Sequence, residues 1–295
     1  MKKIPIILDT DIGDDIDDTW AIAMLLNVPE LEVKLITTAV GNTTYRAKLV
    51  AKLLEVAGRT NIPIGIGIHE NDKVCGQAAW VEDYDLSAYP GIVESDGVAA
   101  LIRTIMSSSE PITLICIGPV PNIAEALRRE PRIAERVRFV GMHGSVRKGY
   151  NGKAKVDAEY NVAQNPTACQ AVFTAPWEMI ITPVDTCGLI KLTGEKFRAV
   201  RESTVPVAQA VIENYRLWAG GILPDASSVL YDTVAIYLAY SSELLEMEPL
   251  GIRITDDGFT VIDPSAKLVN CAMNWKDLPA FEDIVVELVT RQVTT

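Results

Sequence analysis

The sequence predicts an α/β fold: a mostly parallel central sheet flanked by helices, with a more helical C-terminal part. Three observations carry this. Apolar, strand-like runs alternate with runs of helical period through the first two-thirds of the chain, the rhythm of βαβ units. The first run is continuous rather than alternating, as a strand buried on both faces requires. Finally, 295 residues with no internal repeat and no linker-like stretch suit one domain spanning 1–295.

The elements follow in order. Residues 3–8 are the first strand, and 18–28 place Trp20, Ala21, Met24, Leu25 and Val28 at helical spacing. Residues 32–40 read as a strand and 47–57 as an amphipathic helix closed by Gly58. A third strand is expected at 62–66, a helix at 97–106, a strand at 112–117, a helix at 122–129 and a strand at 136–140. Two stretches break the rhythm, 67–95 and 142–158, and long irregular connections are commonly binding loops or lids. After a strand at 179–184 come helices at 195–201, 207–218 and 232–239, short strands near 251–262 and 266–273, and a last helix at 279–292.

Composition excludes several classes. Lys and Arg number 27 against 39 Asp and Glu, a formal charge of −12 with no basic block, which argues against a nucleic-acid partner and suits a protein that holds a cation. Five scattered cysteines without a C-x-x-C pair fit a reduced, cytoplasmic chain. No apolar run approaches the roughly 20 residues of a membrane span, and the N-terminus lacks a signal-peptide pattern. Two histidines, His69 and His143, leave little for a zinc site or a serine triad. P-loop, G-x-S-x-G and dinucleotide fingerprints are absent.

The most informative segment is Asp9-Thr10-Asp11-Ile12-Gly13-Asp14-Asp15-Ile16-Asp17-Asp18, in which six of ten residues are aspartate. It lies between a buried strand and a helix, where α/β sheets bind ligands. Helix capping accounts for Asp17 or Asp18 but not for six acids. So many carboxylates repel one another unless a cation neutralises them, and hard oxygen donors select Ca2+ or Mg2+ over zinc. Neighbouring residues on a helix point about 100° apart, so Asp17 and Asp18 are expected to serve different ligands.

A strand ending in D-T-D-x-G, followed by I-D-D at a helix start, resembles the nucleoside hydrolase (inosine-uridine preferring nucleoside N-ribohydrolase) family. Four further segments extend the likeness over most of the chain: Val40-Gly41-Asn42-Thr43, Gly118-Pro119-Val120-Pro121-Asn122, Glu159-Tyr160-Asn161 with Pro166, and Tyr231-Asp232. The resemblance implies hydrolysis of the N-glycosidic bond of ribonucleosides at one Ca2+ per chain. It assigns the metal to Asp11, Asp18, the backbone carbonyl of Pro121 and Asp232, and the sugar to Asp17, Asn42, Glu159 and Asn161. Asp11 matches the carboxylate that takes a proton from the metal-bound water. Tyr231 stands where many members have histidine, which implies stacking on the base at the leaving-group side rather than proton donation. The acidic motif is two residues longer than the family's shortest form, so Asp15 is a further candidate ligand. Asn151 and His143 are candidates for substrate contact on the 142–158 loop. A homodimer or homotetramer is implied by analogy.

Two other readings stay open at this stage. One is a relative that binds a riboside without turnover, motivated by the missing histidine and the longer motif. The other is a haloacid-dehalogenase-type phosphatase, which shares D-x-D after a strand but wants Thr or Val where this chain has Gly13. Trp218 sits on a helical apolar stripe and is expected in the core.

Overall fold

The structure is a computed structural model that describes residues 2–293; the ends of the expected domain, 1 and 295, lie outside them. In chain order the elements are β1 (Ile4–Thr10), α1 (Asp17–Leu25), β2 (Leu31–Thr38), α2 (Thr43–Val56), β3 (Ile64–Ile66), β4 (Val93–Glu94), α3 (Gly97–Ser107), β5 (Ile112–Cys116), α4 (Pro121–Arg129), β6 (Val137–Met142), α5 (Tyr160–Ala163), α6 (Pro166–Thr174) and β7 (Glu178–Thr182). Then come α7 (Val184–Cys187), α8 (Gly194–Arg201), α9 (Pro206–Trp218), α10 (Thr233–Leu238), β8 (Leu245–Ile254), β9 (Thr260–Ile262), β10 (Leu268–Trp275) and α11 (Leu278–Thr290).

The ten strands form one sheet in the order β4-β3-β2-β1-β5-β6-β7-β10-β8-β9. Pairing is parallel from β4 through β10, and only β8 runs antiparallel to its neighbours β10 and β9. Apolar clusters cover both faces. One packs α1, α2 and α8 to α11 around Trp20, Phe197 and Phe281; the other packs α3, α4 and α6 around Phe139, Phe173 and Trp177. Two-sided burial explains why β1 reads as a continuous apolar run.

Strand order reverses at β1, which pairs with β2 on one side and β5 on the other. The connections leaving the carboxyl ends of β1 and β5 therefore diverge to opposite faces and open a crevice between them. The acidic motif leaves β1 at that crevice, and Gly118–Asn122 leaves β5 beside it.

Local chemistry sets the helix starts there. Asn42 caps α2, its Oδ1 accepting from the Tyr45 amide at 3.0 Å, which starts the helix at Thr43 rather than at the expected 47. Pro121 opens α4, where its missing N–H costs nothing. The helix α6 is absent from the sequence-based expectations, although Asn165 caps it from the Ala168 amide and Pro166 sits in its first turn. Strand β8 begins at Leu245, earlier than the expected 251. No helix among the described residues is long and apolar enough to cross a membrane.

Candidate active site

At the crevice lies a cavity of about 440 Å3 lined by Asp11, Asp14, Asp15, Asp17, Asp18, Ile117, Met142, Tyr150, Glu159, Tyr160, Asn161, Trp218, Tyr231 and Asp232. That size suits a small-molecule ligand. Seven of these residues are carboxylic acids, four are aromatic and none is basic.

The floor is an aspartate cluster drawn from both ends of the chain. Asp17, Asp18 and Asp232 are all buried, and each offers a carboxylate oxygen within 4.8 Å of the other two. Asp17 and Asp18 open α1, and Asp232 precedes α10, a helix that packs on α1. Asp18 also accepts from the Thr10 hydroxyl. Burial first, and then the neighbouring carboxylates, push the carboxyls of Asp17, Asp18 and Asp232 well above the ordinary range. Three buried acids converging, with no basic residue lining the cavity, form the donor set of a hard divalent cation.

The trio differs from the ligand set that the resemblance implies. It includes Asp17, so the two adjacent carboxylates converge despite the angular separation of their positions on the helix. It leaves out Asp11, which lines the same cavity from the end of β1. Burial pushes the Asp11 carboxyl up to about 6, opposed by the Arg46 guanidinium. Asp15 stands exposed at the rim, its Oδ1 accepting from the Ile16 amide at 2.7 Å.

Opposite the acids, Glu159 is buried and accepts three backbone N–H groups, from Gly144 at 2.9 Å, Asn161 at 2.8 Å and Val162 at 3.3 Å. Burial nevertheless raises its carboxyl to about 7. Asn161 donates both amide protons inward, to the carbonyls of Ile117 at 3.1 Å and Met142 at 2.9 Å. Its Oδ1 remains free to accept from, or lend negative potential to, a ligand in the cavity. The Tyr231 ring meets Tyr150 edge-on, centroids 6.0 Å apart, and both line the cavity.

Four expected residues do not line this cavity. His143 is buried under the other face of the sheet, 5.8 Å from the Phe139 ring and 6.1 Å from Phe173, and burial pushes its imidazole down to about 3, with the Gly118 backbone opposing. His143 therefore does not line this cavity, unlike its neighbour Met142. Asn151 is exposed in the left-handed conformation, φ 59°, and points its turn to solvent, while its neighbour Tyr150 reaches the cavity. Asn42 lies in an adjoining polar hollow that shares Asp14 and Tyr160 with the cavity. Pro121 is buried in the first turn of α4, one turn of chain beyond Ile117.

Sequence reasoning missed Tyr150, Tyr160, Asp14 and Trp218. Trp218 belongs to the site's rim rather than to the core, with its indole Nε1 donating to the Asp14 carbonyl at 3.0 Å. Tyr160, between the two motif residues Glu159 and Asn161, was the one within reach of pattern reading; its hydroxyl donates to Asp14 Oδ2 at 3.1 Å.

The family model described as inosine-uridine preferring nucleoside hydrolase matches residues 6–287. The chain belongs to that family. It is thus an N-ribohydrolase, a hydrolase of ribonucleosides, of a metal-dependent kind whose acidic cluster is described above. This nucleoside hydrolase is 31% identical to the inosine-uridine preferring nucleoside hydrolase of Crithidia fasciculata, over 89% of this chain and 88% of the relative. It is 28% identical to a probable uridine nucleosidase 2 of Arabidopsis thaliana, over 94% of this chain and 91% of the relative. Among solved structures, a plant nucleoside hydrolase superposes with a TM-score of 0.83 at 21% identity, covering 97% of this chain and 99% of that one. A purine-preferring ribonucleoside hydrolase from Gardnerella vaginalis superposes at 0.77, also at 21% identity, covering 97% and 98%. At such identities the superpositions establish the fold of the hydrolase, and with it the mostly parallel sheet.

Proposed function

We propose that the hydrolase cleaves ribonucleosides to free base and ribose with one Ca2+ held by Asp17, Asp18 and Asp232, and with Asp11 as the general base. The observation that supports this most is the convergence of buried carboxylates from residues 17, 18 and 232 beside Asp11 and opposite Glu159 and Asn161. A divalent cation bound there would orient the sugar's vicinal hydroxyls and ease deprotonation of a neighbouring water.

The chain's own residues account for the rest. Cleaving an N-ribosyl bond places positive charge on the sugar, and the anionic floor and the free Oδ1 of Asn161 stabilise it electrostatically. Asp11, with a carboxyl pushed up toward neutrality, accepts the proton of the attacking water. Glu159, fixed by three amides, accepts from a sugar hydroxyl. Tyr231 and Tyr150 form an aromatic wall on which the leaving base stacks. Asp11 and the backbone carbonyl of Pro121 are further proposed ligands, and Asn42 a further sugar contact, on the strength of the family resemblance; the carboxylate of Asp15 is another proposed ligand, from the longer acidic motif. Nucleoside salvage in the cytoplasm by a homodimer or homotetramer completes the reading, with light scattering as the check on assembly.

A reducing-sugar assay over a panel of purine and pyrimidine nucleosides, with calcium and with chelator, tests the proposal. Release of ribose that chelator abolishes and calcium restores is the expected result. Binding of ribosides by calorimetry without any ribose release would overturn it.

A further inference from the structure

Between β1 and α1 the chain runs through residues 11–16 outside any helix or strand, so its carbonyls lack regular partners. Four successive ones are met by side chains. Arg46 Nη1 donates to the Ile12 carbonyl at 2.8 Å, and the Tyr45 hydroxyl to that of Gly13 at 3.2 Å. Trp218 Nε1 donates to Asp14 at 3.0 Å, and Gln77 Nε2 to Asp15 at 3.1 Å. The donors come from the start of α2, from the 67–95 connection and from the end of α9. Gln77 is itself oriented by the Thr19 hydroxyl, which donates to its Oε1 at 3.0 Å.

Arg46 is used twice. Its Nε donates to the Val40 carbonyl at 2.9 Å, so one buried guanidinium bridges the acidic loop to the turn after β2. That turn is itself unusual, with Val40 at φ 52° and Gly41 at φ 59°. The planar fork of arginine can hold two carbonyls in fixed relation, which an ammonium on a flexible stem cannot.

We propose that Arg46, supported by Tyr45, Gln77 and Trp218, is the positioning residue of the acidic loop, fixing its path so that Asp11, Asp14, Asp15 and Asp17 face the cavity before any ligand arrives. Left to themselves, six neighbouring carboxylates would splay toward water. Tying the carbonyls on the loop's outer side holds the carboxylates inward against that repulsion. Asp14 and Asp15, which have no firm counterpart in the family's shortest form of the motif, have their carbonyls held by Trp218 and Gln77.

Positioning and simple counter-charge make opposite forecasts for cation binding. A guanidinium near the cluster repels an incoming cation, so removing a pure counter-charge would tighten calcium binding. Removing a brace loosens it. Arg46→Lys keeps the charge and loses the fork; Arg46→Met loses both; Tyr45→Phe deletes one hydroxyl.

The experiment is amide hydrogen exchange over residues 12–18 of the metal-free full chain, with calorimetric titration by Ca2+ itself. The expected result is faster exchange in that segment for all three variants, and calcium binding about tenfold weaker in both Arg46 variants. Unchanged exchange, or calcium bound as tightly or more tightly by Arg46→Met than by the parent chain, overturns the proposal. Should the Arg46 variants fail to fold, exchange in Tyr45→Phe decides. Only the calcium measurement rests on the proposed function; the exchange measurement needs neither metal nor turnover, so the two ideas can fail separately.

Discussion

Gly118 and Asp11 touch so closely that a Cβ on Gly118 would stand 2.5 Å from Asp11 Oδ1. The glycine after β5 is therefore the wall against which the carboxylate after β1 rests. It joins the two divergent connections of the crevice at the proposed base.

Gly118→Ala should push that carboxylate aside. The added methyl meets the Asp11 side chain from its carboxylate down to its Cβ, an overpacking cost of about 1–3 kcal/mol. Displacement of a catalytic group by about 1 Å is worth roughly 100-fold in rate. Steady-state kinetics on inosine and uridine, alongside thermal melting, should show kcat falling far more than stability. Unchanged kcat would mean that Asp11 does not act where it stands.

Asp11→Asn removes the proton acceptor while keeping the shape. A loss of roughly 10²- to 10⁴-fold in kcat is expected from general-base chemistry. Melting temperature should hold or rise, since a buried carboxylate among other acids is replaced by a neutral amide. Full activity in this variant would remove Asp11 as the base.

Stability should depend on pH in an uncommon direction. Burial raises Asp9 to about 7, Asp11 to about 6 and Glu159 to about 7 in the folded chain. A carboxyl whose folded pKa exceeds the unfolded value of about 4 binds its proton more tightly when folded. Its contribution is present at low pH and is lost as pH rises through the window from about 4 to about 7. Metal-free protein should therefore melt lower at pH 8 than at pH 5, and added calcium should raise the melting temperature more at pH 8. Differential scanning fluorimetry across that range is the check, and a metal-free melting temperature that climbs from pH 5 to pH 8 would contradict it.

Tyr231→Ala tests the aromatic wall. If the base stacks on Tyr231 and Tyr150, larger ring systems lose more, so kcat/KM should drop further for purine than for pyrimidine nucleosides, by about 0.5–1.5 kcal/mol of stacking. Equal losses on both would point to proton transfer or sugar contact instead.

His143→Leu separates core from site. Among the described residues neither imidazole nitrogen has a hydrogen-bond partner, and the ring lies among Phe139 and Phe173. Replacing an unsatisfied buried polar ring by an apolar side chain should leave stability equal or higher and kinetics unchanged. A tenfold fall in kcat would return His143 to the site.

Much of this molecule follows from local pattern. The continuous apolar run of β1, the helical stripes flanking it and the proline that opens α4 are written in short windows, because burial on two faces and a helix start that needs no N–H are local demands. The acidic motif is equally legible, since six aspartates in ten residues admit few physical explanations. What single windows do not carry is distance. That Asp232 meets Asp17 and Asp18 follows from α10 packing on α1, over two hundred residues away in the chain. That His143 faces the far side while Tyr150 reaches the cavity depends on which way the chain turns after leaving β6. Side-chain periodicity assigns a face only inside a regular element, and these residues lie where regular backbone ends. Tertiary packing alone could place them.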